Sequence, residues 1–239
     1  MLSGQKVIII GGSSGIGLET AKRAAAGGAE LIIASRSRQK LEQAKAAIGG
    51  SAKVSIYTLD VTDETQVQSF FAQAGPFDHL VVSAAETGSG AFLTTPTGAA
   101  RGLFENKFWG QYYAAKYGAP LLNPQGSITL FSGIVAFKSM NGSSVLGAVN
   151  AAVANLGQTL ALELAPLRVN VVSPGIIDTP SRAGMPEEAR SSLYSSTAAR
   201  LPVQRIGTAE DVAEAVLHLI HNGFVTGTVL HVDGGHRLV

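Results

Sequence analysis

Short apolar runs recur along the chain at Val7–Ile10, Leu31–Ala34, Val54–Leu59, Leu80–Val82, Ile128–Phe131, Val169–Val172 and Val229–Val232. They are rich in β-branched residues, and mostly helix-like stretches separate them, so each predicts a strand. Strands that alternate with helices predict a parallel sheet. Little polar alternation runs through them, which places both faces of the sheet in the interior. The expected fold is a single α/β domain spanning residues 1–239, a doubly wound seven-stranded parallel sheet with helices on both faces. Asp63 with Gln66 and Thr208 with Asp211 read as capping boxes at helix starts. Gly27-Gly28 and Gly49-Gly50 are placed to end helices. Residues 180–207 hold three prolines, scattered Ser and Arg and no clear strand. This segment reads as a mobile flap beside a site.

Composition narrows the chemistry. With 239 residues, 46% of them hydrophobic, the chain can bury a large core. Eighteen basic side chains against seventeen acidic ones leave a net charge of +1, without runs of like charge. Nucleic acid and anionic membrane are therefore not expected as partners. The chain has no cysteine, so disulfides, thiolate metal sites and a Cys nucleophile are excluded. The opening MLSGQKVIIIGG lacks the basic flank and long apolar stretch of a secretory signal, and no stretch approaches 18 uninterrupted apolar residues, so the expected location is cytoplasmic.

After the first strand comes Gly11-Gly12-Ser13-Ser14-Gly15-Ile16-Gly17, followed by a helix-forming run from Leu18 to Ala26. A strand, glycines and a helix N-terminus form an anion trap, because backbone amides and the helix dipole face the ligand and missing side chains let it approach. Gly11, Ser13, Ser14, Gly15, Ile16 and Gly17 are the candidate pyrophosphate contacts. With its Gly-x3-Gly-x-Gly spacing, the sequence resembles the short-chain dehydrogenase/reductase family, and the resemblance runs in the family's order from Lys6 to Gly235.

The resemblance implies a Rossmann-like fold, a dinucleotide cofactor and a homo-oligomer, a dimer or tetramer. It assigns Asp60 and Val61 to the adenine, Ser83, Ala84 and Ala85 to the turn after the fourth strand, and Asn106 to the active-site tetrad. It also assigns Pro174, Gly175, Ile176, Ile177 and Thr179 to the segment that holds the nicotinamide carboxamide. At the end of the second strand an acid binds a ribose diol and a basic side chain accommodates a 2′-phosphate. This chain has Ser35, Arg36, Ser37 and Arg38 there. NADP(H) is therefore the expected cofactor in preference to NAD(H).

The family's catalytic side chains do not follow. Aligned through Ala151-Ala152-Val153 and Leu160–Pro166, Leu146 stands at the Tyr position, Asn150 at the Lys position and Gly133 at the Ser position. Ser132, one residue away, is a candidate substitute for the Ser. Glu86 is held as a reserve acid, although a solvated loop carboxylate is the simpler account. A Tyr-x-x-x-Lys does occur at Tyr112 and Lys116, but upstream of the fifth strand, where a packing pair is the simpler reading.

Other constellations carry less. Gly11-x-Ser13-x-Gly15 also fits a hydrolase nucleophile elbow, but on the first strand no preceding element can supply the second oxyanion donor. His218 and His221 have metal-ligand spacing without companion carboxylates and read as surface residues. His79 and His231 read as packing residues, and the stripe Trp109, Tyr112 and Tyr113 as core or subunit interface. The expected activity is an atypical NADP(H)-dependent oxidoreductase acting on a carbonyl or alcohol substrate that the sequence does not identify. A non-catalytic NADP(H)-binding protein, such as a sensor or partner subunit, and a non-redox enzyme on the same fold are the alternatives.

Overall fold

Each of the seven apolar runs becomes a strand of one sheet. The computed structural model describes residues 2–50, 52–84 and 88–239. Its strands are β1 (Lys6–Ile10), β2 (Glu30–Ser35), β3 (Val54–Thr58), β4 (Phe77–Val82), β5 (Leu122–Phe131), β6 (Arg168–Pro174), the two-residue β7 (Ile177–Asp178) and β8 (Gly207–Thr208), and β9 (Val229–Val232). The main sheet runs β3-β2-β1-β4-β5-β6-β9, all parallel, and β7 pairs with β8 separately. Chain order reverses between β1 and β4, which leaves a crevice at their carboxyl ends.

Period-two alternation decides which face each strand residue covers. Ile8 and Ile10 join Phe70, Phe71, Ala114 and Val153 on one face. Val7 and Ile9 join Ala21, Leu41, Val212 and Val216 on the other. The first face is thus covered by α3 (Glu64–Ala74), α5 (Gly110–Gly118) and α6 (Ser144–Glu163). The second is covered by α1 (Gly15–Ala26), α2 (Arg38–Ile48) and α8 (Ala209–His221), and α4 (Thr97–Leu103) and α7 (Glu187–Ala198) complete the helices described here. Val7, Ile8, Ile9 and Ile10 are all fully buried, each contributing about 1.5–3 kcal/mol relative to exposure.

The helix starts follow the sequence. Thr208 and Asp211 form the reciprocal capping box. Asp63 accepts from Gln66 N, but Gln66 Oε1 accepts instead from Asp60 N at 3.2 Å. The twenty-residue α6 contains an 18-residue window with a mean hydropathy of 1.4, so by length and composition it suits a bilayer. Here its Val153 and Ala161 pack with Ile128 and Val169 of the sheet. Residues 180–207 form a short 3-10 turn at Pro180–Arg182, helix α7 and the small strand β8.

Candidate functional site

A cavity of about 710 Å³ opens at the carboxyl ends of the central strands. Gly11, Ser13, Ser14, Gly15, Ile16 and Gly17 form its floor. Ser14 caps α1 in extended conformation, without a side-chain cap bond, so the amides of the first turn depend on a ligand or solvent. The floor is closely built. A Cβ on Gly17 would lie 2.2 Å from the Gly11 carbonyl oxygen. The amides of Ser83 and Ala84 both donate to Ile10 O, at 2.8 and 3.0 Å, tying the loop after β4 to the turn after β1. Ser83 and Ala84 line the cavity, whereas Ala85 and Glu86 lie outside the described residues.

At the end of β2, Ser35, Arg36 and Ser37 line the cavity together with Lys40. The Ser35 Oγ is buried without a hydrogen-bond partner among the described residues, an orphan that a ligand hydroxyl or phosphate would satisfy. The Ser37 Oγ caps α2 by accepting from Lys40 N at 3.3 Å. Arg38 is not among the lining residues: its guanidinium turns to Glu42, with Nη2 2.7 Å from Oε1. The reason is helical spacing, since residues four apart share one face of α2. Lys40 takes its place at the wall. Val61 lines the cavity. Asp60 does not, and its Oδ1 accepts from Thr62 N at 3.0 Å and Thr62 Oγ1 at 2.8 Å.

The opposite end brings together Asn106, Ser132, Gly133, Leu146 and Asn150, with Pro174, Gly175, Ile176, Ile177 and Thr179 beside them. The Ser132 hydroxyl donates to the Asn150 carbonyl at 2.8 Å. The Asn150 Oδ1 is buried without a hydrogen-bond partner among the described residues. Met185 and Leu193 reach the wall from the 180–207 segment, so that segment does border the site.

Lys107, like Lys40, is a wall residue that the sequence did not point to. It lies in the wall and is only 5% exposed, on a π-helical turn, Phe104–Trp109, between α4 and α5. Its Nζ donates to Ser132 O at 3.0 Å. Burial pushes its pKa from 10.5 down to about 8. Two polar residues four apart in an aromatic helical stretch, Lys107 and Gln111, were the available signal, and helical periodicity alone does not say that both turn inward. The charged side chains among the described lining residues are Arg36, Lys40, Lys107 and Arg182, with neither acid, His nor Tyr. Among the described lining residues neither a His nor an acid accompanies Ser13, so a Ser-His-acid arrangement is not assembled there. The wall suits an extended, anionic ligand bearing ring hydroxyls.

The remaining candidates sit elsewhere. Lys116 pairs with Glu64 at 3.2 Å, and Tyr112 stacks among Phe108, Trp109 and Tyr113. Neither lines the cavity. His79 is buried against Ser127 Oγ at 2.9 Å, and burial lowers its pKa to about 4. His231 packs edge-on to Phe137. No cluster of metal-ligating side chains occurs among the described residues.

The family model described as enoyl-(acyl carrier protein) reductase matches residues 11–237. The chain is 32% identical to the short-chain dehydrogenase/reductase ATR9 of Stachybotrys chlorohalonatus, covering 98% of this chain and 97% of that protein. It is likewise 32% identical to the 3-oxoacyl-[acyl-carrier-protein] reductase FabG of Thermotoga maritima, with 98% of each covered. Among solved structures, a small-chain dehydrogenase in complex with NADPH superposes with a TM-score of 0.85 at 36% identity, covering 98% of this chain and 99% of that one. The MalC reductase/Diels-Alderase from Malbranchea aurantiaca gives a TM-score of 0.92 at 29% identity, covering 100% and 98%. This chain belongs to the short-chain dehydrogenase/reductase family.

Proposed function

We propose that this chain is an NADP(H)-dependent oxidoreductase for a carbonyl or alcohol, built as one domain and working without the family's Tyr–Lys pair. The observation that carries the reading is the cavity wall itself. A glycine turn at a helix N-terminus occupies its floor, and at the end of β2 stand Ser35, Arg36 and Lys40 with no acid among the described lining residues. The first-turn amides would hold the pyrophosphate. Arg36 and Lys40 would meet the 2′-phosphate, and the orphan Ser35 Oγ would add a hydrogen bond. When bound, the nicotinamide supplies hydride transfer to or from a carbonyl carbon.

At the reacting end, Leu146 and Asn150 stand in the wall where the family alignment expects Tyr and Lys. Leu146 makes this part of the pocket more apolar and gives no proton. The orphan Asn150 Oδ1 is suited to accept from a ribose hydroxyl. The NADPH complex of the superposable dehydrogenase supports the choice of cofactor. Further copies of the chain, in a homo-oligomer, complete the reading.

Calorimetric titration with NADPH and NADH tests the cofactor. Tighter NADPH binding is expected, and equal affinities would overturn it. That no Tyr stands among the described lining residues also favours a second reading, a nucleotide-binding protein without turnover. Single-turnover hydride transfer from NADPH to a panel of ketones and aldehydes separates the two.

A further inference from the structure

The inference concerns the proton, and it rests on the NADP(H) reading above. The π-helical turn that carries Lys107 is pinned to the sheet by its neighbour Gln111. Beyond the end of β4, the Gln111 side chain replaces a neighbouring strand for Phe131, with Oε1 accepting from Phe131 N at 2.7 Å and Nε2 donating to Phe131 O at 3.0 Å. Nε2 also donates to Lys107 O at 2.9 Å. π-Helical turns are disproportionately found at functional sites. Here the turn aims a lysine at the last carbonyl before Gly133.

The ammonium reaches Ser132 O at 3.0 Å, and that is its one hydrogen bond among the described residues. An ammonium has three N–H groups, so two remain for a ligand. Burying a cation without a carboxylate is costly. Other proton sources on the wall are few. Among the described residues, the Ser132 hydroxyl proton is committed to Asn150 O, Leu146 cannot titrate, and the other charged lining residues, Arg36, Lys40 and Arg182, are all cationic. Glu105, on the same turn, and Glu64, against α5, do not figure among the causes of the Lys107 shift, which is burial alone.

We propose that Lys107 is the proton donor to the substrate carbonyl oxygen, taking over the work of the missing Tyr and Lys. As hydride from the dihydronicotinamide bonds to the carbonyl carbon, the C=O π pair moves onto oxygen. The Lys107 ammonium passes a proton to that oxygen. The products are an alcohol, the oxidised nicotinamide and a neutral Lys107 amine, which regains its proton from water. Alcohol oxidation runs the same transfers in reverse. The depressed pKa of about 8 lets the ammonium give up its proton near neutral pH more readily than an ordinary lysine does.

The test follows the Lys107 side chain by NMR in the full chain carrying 13C-labelled lysine, its resonance assigned by loss in Lys107→Met. The oxidised nicotinamide ring is positive and the reduced ring is neutral. A lysine at the reacting end should therefore titrate lower with NADP+ than with NADPH, by on the order of one pH unit. Titration above pH 10, or at the same pH in both complexes, overturns the proposal while leaving the cofactor reading intact. Failure of both nucleotides to bind overturns the cofactor reading itself. In single-turnover reduction of butanedione by NADPH, Lys107→Met should be slower by about 10²–10⁴-fold with NADPH affinity unchanged. Equal rates in the two proteins, including no turnover in either, overturn the proposal.

Discussion

The side chain of Asn150 fills the space that any side chain at Gly133 would need: a Cβ built on Gly133 would lie 2.7 Å from Asn150 Nδ2. The two residues are complementary, one reduced to hydrogen and the other buried at 2% exposure. Restoring the family's Ser at one without changing the other therefore overpacks the site. Gly133→Ser should cost about 1–3 kcal/mol, and less in an Asn150→Ala background. A double-mutant cycle by urea unfolding reads the coupling, and additive costs would contradict it. The triple replacement Gly133→Ser, Leu146→Tyr and Asn150→Lys should raise reduction of ordinary ketones above that of the parent, because it returns a titratable phenol to the wall.

Cofactor choice should respond to Arg36 and not to Arg38. Arg36 lines the cavity, and the Arg38 guanidinium lies outside it against Glu42. A hydrogen bond to a charged group contributes about 1.5–3 kcal/mol, so Arg36→Ala should weaken NADPH binding about 10- to 100-fold and leave NADH binding nearly unchanged. Arg38→Ala should alter neither. A large loss of NADPH affinity in Arg38→Ala would mean that its side chain swings to the phosphate.

Lys107 also predicts a dependence of stability on pH. The folded protein releases this proton near pH 8, whereas a free lysine side chain holds it to 10.5. Between those values the unfolded chain binds more protons, so stability rises with pH across that window. Below it the buried charge costs about 3 kcal/mol, at 1.36 kcal/mol per pH unit. Lys107→Met should gain on the parent at pH 7 and lose about that amount of its advantage by pH 10.5. Urea melts at both pH values check this, and a constant difference would contradict it.

The glycines of the first turn should separate into two kinds. A Cβ on Gly17 would strike backbone, 2.2 Å from Gly11 O, whereas one on Gly15 would meet Thr179 at an ordinary 3.4 Å and be strained only by its φ of +52°. Gly17→Ala should therefore shift the turn, with loss of nucleotide binding and a clear drop in urea midpoint. Gly15→Ala should cost about 1–2 kcal/mol and remain folded. The reverse ranking would show that the turn is held differently.

Tyr112→Phe should leave hydride transfer and nucleotide affinity within about twofold of the parent, since Tyr112 stacks in an aromatic cluster away from the cavity wall. A fall of several orders of magnitude in kcat would reinstate the upstream Tyr and Lys.

The sequence by itself determined what depends on neighbours along the chain. Apolar runs such as Val7–Ile10 specify strands buried on both faces, and the glycine turn after them specifies a helix N-terminus open to anions. The replacement of acid by Ser35 and Arg36 could be read at the end of β2 because strand ends in this fold face the crevice. Only the tertiary structure decided where side chains on helices point. Arg38 and Lys40 are two residues apart and leave α2 in different directions, and the packing of α2 beside the end of β2 decides that Lys40 reaches the cavity while Arg38 pairs with Glu42. Lys107 stayed hidden for the same reason. Its burial depends on a π-helical turn and on Gln111 docking to Phe131, a contact across 20 residues of sequence. The complementarity of Gly133 and Asn150 likewise exists only once β5 and α6 are packed, because residues 17 apart in the chain have no local reason to share one volume.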